Sequence, residues 1–109
     1  MAVCLGVLSC NQDMEPASFC GVIIDKQSRI PIPNVRLAVI NAYYAGGDYD
    51  SYSGYDSISV ETDAHGRFSF TFPRSCYLQL ETAKQGYYPL FYEQDVNRHS
   101  NKLLLELVP

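Results

Sequence analysis

The side chains able to do chemistry are few and unevenly spread. There are two histidines, His65 and His99, four cysteines, at 4, 10, 20 and 76, and no tryptophan. His65 stands in Thr62-Asp63-Ala64-His65-Gly66, and His99 in the polar run Val96-Asn97-Arg98-His99-Ser100-Asn101. No serine or cysteine sits in a recognisable nucleophile motif with a base, so hydrolysis has no visible machinery. No Cys-x-x-Cys or His pair has the spacing of zinc ligands. Asp48, Asp50 and Asp56 could offer oxygens to calcium, but Tyr52 fills the third alternate position and no glutamate closes the loop, so these carboxylates read as solvated. The expectation is a protein that is not an enzyme, with no catalytic residue, cofactor or metal ligand.

One segment is unusual. Residues 41–57 hold Tyr43, Tyr44, Tyr49, Tyr52 and Tyr55 among glycine, serine and aspartate. That length exceeds an ordinary hairpin turn. Tyrosine with serine and glycine is the composition of adaptable recognition loops, in which the ring gives rigid contact area and the hydroxyl a hydrogen bond. These five tyrosines are the candidate contacts for a protein or carbohydrate partner. The alternative is an extended hairpin whose rings cover the body of the fold, or a mobile loop.

Composition narrows the classes. The net charge is −4, from 8 Lys and Arg against 12 Asp and Glu, and no basic cluster offsets it. Nucleic acid is therefore excluded as a partner. Hydrophobic residues reach 47% against 18% charged, too apolar for disorder throughout. No apolar run approaches the roughly 20 residues of a membrane-spanning helix.

The positioning elements read as strands. Residues 19–25, 35–40, 58–62, 67–72, 76–82 and 103–107 are short, β-rich and separated by turn residues. Phe68, Phe70 and Phe72 share one face, as do Leu78 with Leu80 and Leu103 with Leu105 and Leu107. No window sustains a 3.6-residue period, so the fold class is all-β, a sandwich or barrel. Cys20 and Cys76 could be bridged in an oxidising compartment. Alternation favours two separate thiols, because Cys20 faces away from Phe19 and Gly21 while Cys76 shares parity with Leu78 and Leu80.

Two resemblances sharpen this. Residues 2–9 are apolar and uncharged, and polarity switches at Cys10. Val7-Leu8-Ser9-Cys10 resembles the lipobox of bacterial lipoproteins. That implies a signal segment at 1–9, acylation of Cys10 as a membrane lipid anchor, and a tether at 10–18. The alternative is a short buried strand holding Cys4 and Cys10. Asp13 and Glu15 resemble the acidic export signals of some Gram-negative lipoproteins, which implies an outer-membrane, periplasmic or surface-facing location in the cell envelope.

Gly21-x-Ile23-x-Asp25, Ile30-Pro31-Ile32-Pro33-Asn34-Val35, Thr62-Asp63-Ala64-His65-Gly66-Arg67-Phe68-x-Phe70 and Lys84-Gln85-Gly86-Tyr87 together resemble the carboxypeptidase regulatory-like domain. The resemblance covers residues 19–108 and implies a seven-stranded, transthyretin-like Greek-key β-sandwich over 19–109. Its Gly86-Tyr87 step implies that Tyr87 is core and that Tyr88 and Tyr92 are partly exposed. It implies a non-catalytic binding or structural module, or an accessory protein of an envelope enzyme such as a peptidase. Intradiol dioxygenases of related architecture hold iron with two tyrosines and two histidines, but no motif brings His65 and His99 together. Hydroxyisourate hydrolases of the transthyretin fold end in Tyr-Arg-Gly-Ser, where this chain reads Leu107-Val108-Pro109.

Overall fold

The computed structural model describes residues 13–44 and 54–109. Seven strands follow one another: β1 (Ala17–Asp25), β2 (Arg36–Tyr43), β3 (Gly54–Glu61), β4 (Arg67–Phe72), β5 (Tyr77–Ala83), β6 (Phe91–Asp95) and β7 (Ser100–Leu107). They form two sheets, ordered β4-β1-β7 and β3-β2-β5-β6. The chain crosses between sheets after β1, β3, β4 and β6, which makes the molecule an all-β sandwich. The β1–β7 pair is parallel and the other pairs are antiparallel.

Side-chain alternation builds the core. Phe68, Phe70 and Phe72 of β4 point inward beside Phe19 and Ile23 of β1 and Leu103, Leu105 and Leu107 of β7. Leu37 and Val39 of β2 and Leu78 and Leu80 of β5 meet them from the second sheet. Phe19 stacks on Phe70 with ring centres 5.2 Å apart and meets the edge of Phe72 at 6.4 Å. Such aromatic geometry adds to the burial of apolar area that drives the layers together.

Buried hydroxyls close the ends of strands. The Thr62 hydroxyl accepts the Val35 N–H at 2.9 Å and donates to the Ile32 carbonyl at 2.8 Å, so no buried polar group is stranded there. In the following turn Gly66 takes φ +73° and its N–H donates to the Asp63 carbonyl at 3.0 Å. A side chain at Gly66 would also meet the Ile23 carbonyl oxygen at 2.8 Å, so the position needs glycine on two counts.

Two aspartates organise turns, and this gives the stability a pH dependence. Asp25 accepts the N–H groups of Ser28 and Gln27 at 2.9 and 2.7 Å, and the Tyr87 hydroxyl donates to it at 2.8 Å. Asp63 accepts the Arg67 and His65 N–H groups at 2.9 and 2.8 Å. The Ser28 N–H first and the Tyr87 hydroxyl second hold the Asp25 carboxyl below the ordinary 3.8. The Arg67 N–H leads in lowering Asp63. Folding therefore gains from both carboxylates above the unfolded value and loses that gain as pH falls through the lower folded values. The urea midpoint is expected to drop as pH falls below about 4. Asp25→Asn should lower the neutral midpoint and flatten that drop.

Several expectations are corrected here. The sandwich begins before residue 19. Ala17 is fully buried opposite Phe72, Met14 bridges to Ser75, and Asp13 accepts the Tyr44 N–H at 2.8 Å. Residues 13–18 of the expected 10–18 tether thus belong to the fold. No disulfide joins Cys20 and Cys76, in line with the alternation that favours two separate thiols. Cys20 is exposed on the outer side of β1, across from Ser69 and Lys102, while Cys76 is buried at the entrance to β5 in the other sheet. Sheets about 10 Å apart, with one thiol facing away, exceed the reach of a disulfide. Tyr87 is half-buried against the core rather than within it, because its hydroxyl reaches Asp25.

Candidate functional site

The alternation that fills the core leaves the opposite face of the four-stranded sheet in solvent, except at Ala42, which is buried. Register defines its rows. Tyr55, Ala42, Tyr77 and Asp95 stand in the first row, and Ser57, Ile40, Gln79 and Glu93 in the second. The third holds Ser59, Ala38, Glu81 and Phe91, and the fourth Glu61, Arg36 and Ala83. Phe91 is 73% exposed, Tyr55 64% and Ile40 42%. Exposed large apolar groups gathered on one face, rather than scattered singly, mark interaction surfaces.

Small residues shape the middle of this face. Ala38 sits low beside Ile40 on β2, with Glu81 of β5 between it and Phe91 of β6. The result is a trough of about 320 Å³ with Gln79, Glu81 and Glu93 along it. The Tyr77 hydroxyl donates to Glu93, which fixes one carboxylate and raises the Tyr77 pKa. Four carboxylates, Glu61, Glu81, Glu93 and Asp95, face solvent here against the single guanidinium of Arg36. A wider hollow of about 930 Å³ lies beside Cys20, Val22, Arg67 and Lys102 at the other sheet, but presents no exposed ring.

The three described tyrosines of the five singled out from the sequence stand at different places. Tyr55 lies on the outer face, in strand β3. Tyr43 ends β2 on the opposite side of the sheet. Its ring lies across Gly54, where a side chain would overlap it, and the Arg74 guanidinium sits 5.0 Å above the ring centre. That cation–π contact ties the β4–β5 connection to the end of β2. Tyr44 is buried at 9% exposure. Tyr49 and Tyr52 lie outside the described residues, as does Cys10. Tyr77, Phe91 and Ile40 complete the face and were not singled out. Their signal is parity: each shares its outward register with Tyr55.

Comparison places the architecture. No family model and no curated protein matches the chain. Solved structures do. A 3-chlorocatechol 1,2-dioxygenase from Rhodococcus opacus aligns with a TM-score of 0.68 at 16% identity, over 86% of this chain and 60% of that one. A hydroxyquinol 1,2-dioxygenase from Pseudomonas putida gives 0.65 at 12%, over 86% and 56%. The C-terminal domain of a shaft pilin from Lactobacillus rhamnosus gives 0.57 at 10%, over 88% of this chain and 99% of the domain. The chain thus spans under two thirds of the dioxygenases it aligns with. At such identities the likeness is one of fold, and a fold hosts many chemistries.

The histidines do not supply half of an iron site. The turn that carries His65 bonds to β1 at Ile23, through Gly66, at 2.8 Å. His99 lies at the other end of β1, where its carbonyl accepts the Ser18 N–H at 2.7 Å and its ring bonds the Pro16 carbonyl at 2.8 Å. Five strand residues between those points span about 16 Å. Among the described residues no three His, Cys, Asp or Glu side chains gather as a metal set.

Proposed function

We propose that this protein is a non-catalytic binding module of the cell envelope, held there by acylation of Cys10, with the outer face of its four-stranded sheet as the contact surface. One observation carries the assignment of the surface: Phe91, Tyr55 and Ile40 stand exposed together on a regular sheet face. Burying such groups against a partner removes apolar area from water, and aromatic side chains are favoured anchors. The lipobox-like Val7-Leu8-Ser9-Cys10 supports the anchor and the outer-membrane location. The alignment with a shaft-pilin domain supports a structural role for a sandwich of this kind.

Capture of solubilised envelope material by the immobilised full chain tests the surface. Ile40→Asp with Phe91→Ala should reduce capture by about tenfold or more. Tyr88→Ala, at an exposed ring away from the face, should leave capture as it was. Unchanged capture by the double variant removes the face from consideration. The mass of the mature amino-terminal peptide tests the anchor separately: a diacyl or triacyl Cys10 is expected, and an unmodified Met1 overturns it.

A further inference from the structure

The shape and charge of the outer face narrow what it takes. Three strand spacings of about 4.8 Å make it about 14 Å wide, and the run from Tyr55 to Glu61 makes it about 20 Å long. The trough of about 320 Å³ falls at the lower end of small-ligand sites, about 300–1,000 Å³. The occupant is narrow.

It must also suit two kinds of surface at once. The walls, Ile40 and Phe91, are apolar, while Gln79, Glu81 and Glu93 offer acceptors between them. An extended peptide lying on this face would strand its backbone N–H and C=O groups, because the ladders beneath are already paired strand to strand. A pyranose has no such groups. One side of its ring is a patch of C–H bonds that lies on an aromatic face, and its hydroxyls donate outward to carboxylates and amides. The four carboxylates against Arg36 repel an anionic chain.

Building on the contact face proposed above, we infer that this face binds a neutral saccharide chain, with one sugar ring lying in the trough against Phe91 and its hydroxyls donating to Glu81, Gln79 and Glu93. Ile40 closes the far side of the trough, and the Tyr77 hydroxyl donates to Glu93 from the adjoining row.

The test titrates the full chain with cellohexaose, mannohexaose and chitohexaose by calorimetry. Oligogalacturonate and a lysine-rich peptide serve as counter-probes. At least one neutral chain should bind. Phe91→Ala and Glu81→Gln should each weaken it by about tenfold, and oligogalacturonate should not bind. Glu81→Gln keeps the side chain's shape, so it reads hydroxyl recognition even if Phe91→Ala were to misfold. Three results overturn the inference: no neutral chain binds, the affinity is unmoved by Glu81→Gln and by a folded Phe91→Ala, or oligogalacturonate or the peptide binds as well as the best neutral chain. If neutral chains fail while Ile40→Asp with Phe91→Ala still abolishes envelope capture, the contact face stands and only the saccharide assignment falls.

Discussion

Phe19→Ala is expected to lower the unfolding free energy by about 3–5 kcal/mol, read as a shift of the urea midpoint with an unchanged slope. Phe19 is 1% exposed, stacks on Phe70 and meets the edge of Phe72, so its loss removes buried area and two ring contacts together. The cavity opens between the two sheets, where β1 is pinned by β4 and β7 and cannot settle inward. Total stabilities of about 5–15 kcal/mol leave such a variant marginal at 37 °C. A midpoint shift equivalent to less than about 1 kcal/mol would mean that Phe19 is not a centre of the core.

Gly21→Ala is expected to cost as much as a large deletion although it adds one methyl group. A side chain at Gly21 would overlap the Leu103 carbonyl oxygen and come within 2.7 Å of the Phe68 ring. The ring could turn aside. The carbonyl belongs to the β7 ladder and can move only if β1 and β7 separate. Overpacking costs about 1–3 kcal/mol where side chains yield, and backbone that cannot yield puts this site at or above the upper end. The measurement is again chemical unfolding, with amide exchange along β7 as a local readout. Faster exchange at Leu103 and Leu105 is the expected mark of a pried ladder. A variant as stable as the parent would show that β1 and β7 do not approach this closely.

These two residues also show what the sequence made legible. Strict alternation at Phe68, Phe70 and Phe72, and at Leu103, Leu105 and Leu107, marked strand, face and core, because a period of two has one structural meaning. Gly21 sits in the family-like Gly-x-Ile-x-Asp run, yet only the close approach of Leu103 gives its reason. Strand β6 was not legible. Its inward positions, Tyr92 and Gln94, are polar or half-polar, and Phe91 points outward, which inverts the usual pattern. The far ends of β2 and β3 were hidden for a related reason. The inward Asn41 donates its amide N–H groups to the Arg74 carbonyl at 2.8 Å and to Asp56 at 3.3 Å, and no apolar rhythm reports such a pairing. Of the three described tyrosines read as contacts, Tyr43, Tyr44 and Tyr55, only Tyr55 is placed on the outer face. The side chains that complete that face come from β2, β5 and β6 and become neighbours only through register.

The parallel union of β1 and β7 bears on how the molecule carries load. The ladder runs from Ser18 opposite Ser100 to Asp25 opposite Leu107, so the chain enters at one end of it and leaves at the other. Tension drawn between the two termini acts along this seam and strains its bonds side by side, as in a lap joint, instead of peeling them off in turn. A filament or tether that pulled through this protein would therefore meet its resistance at the first and last strands.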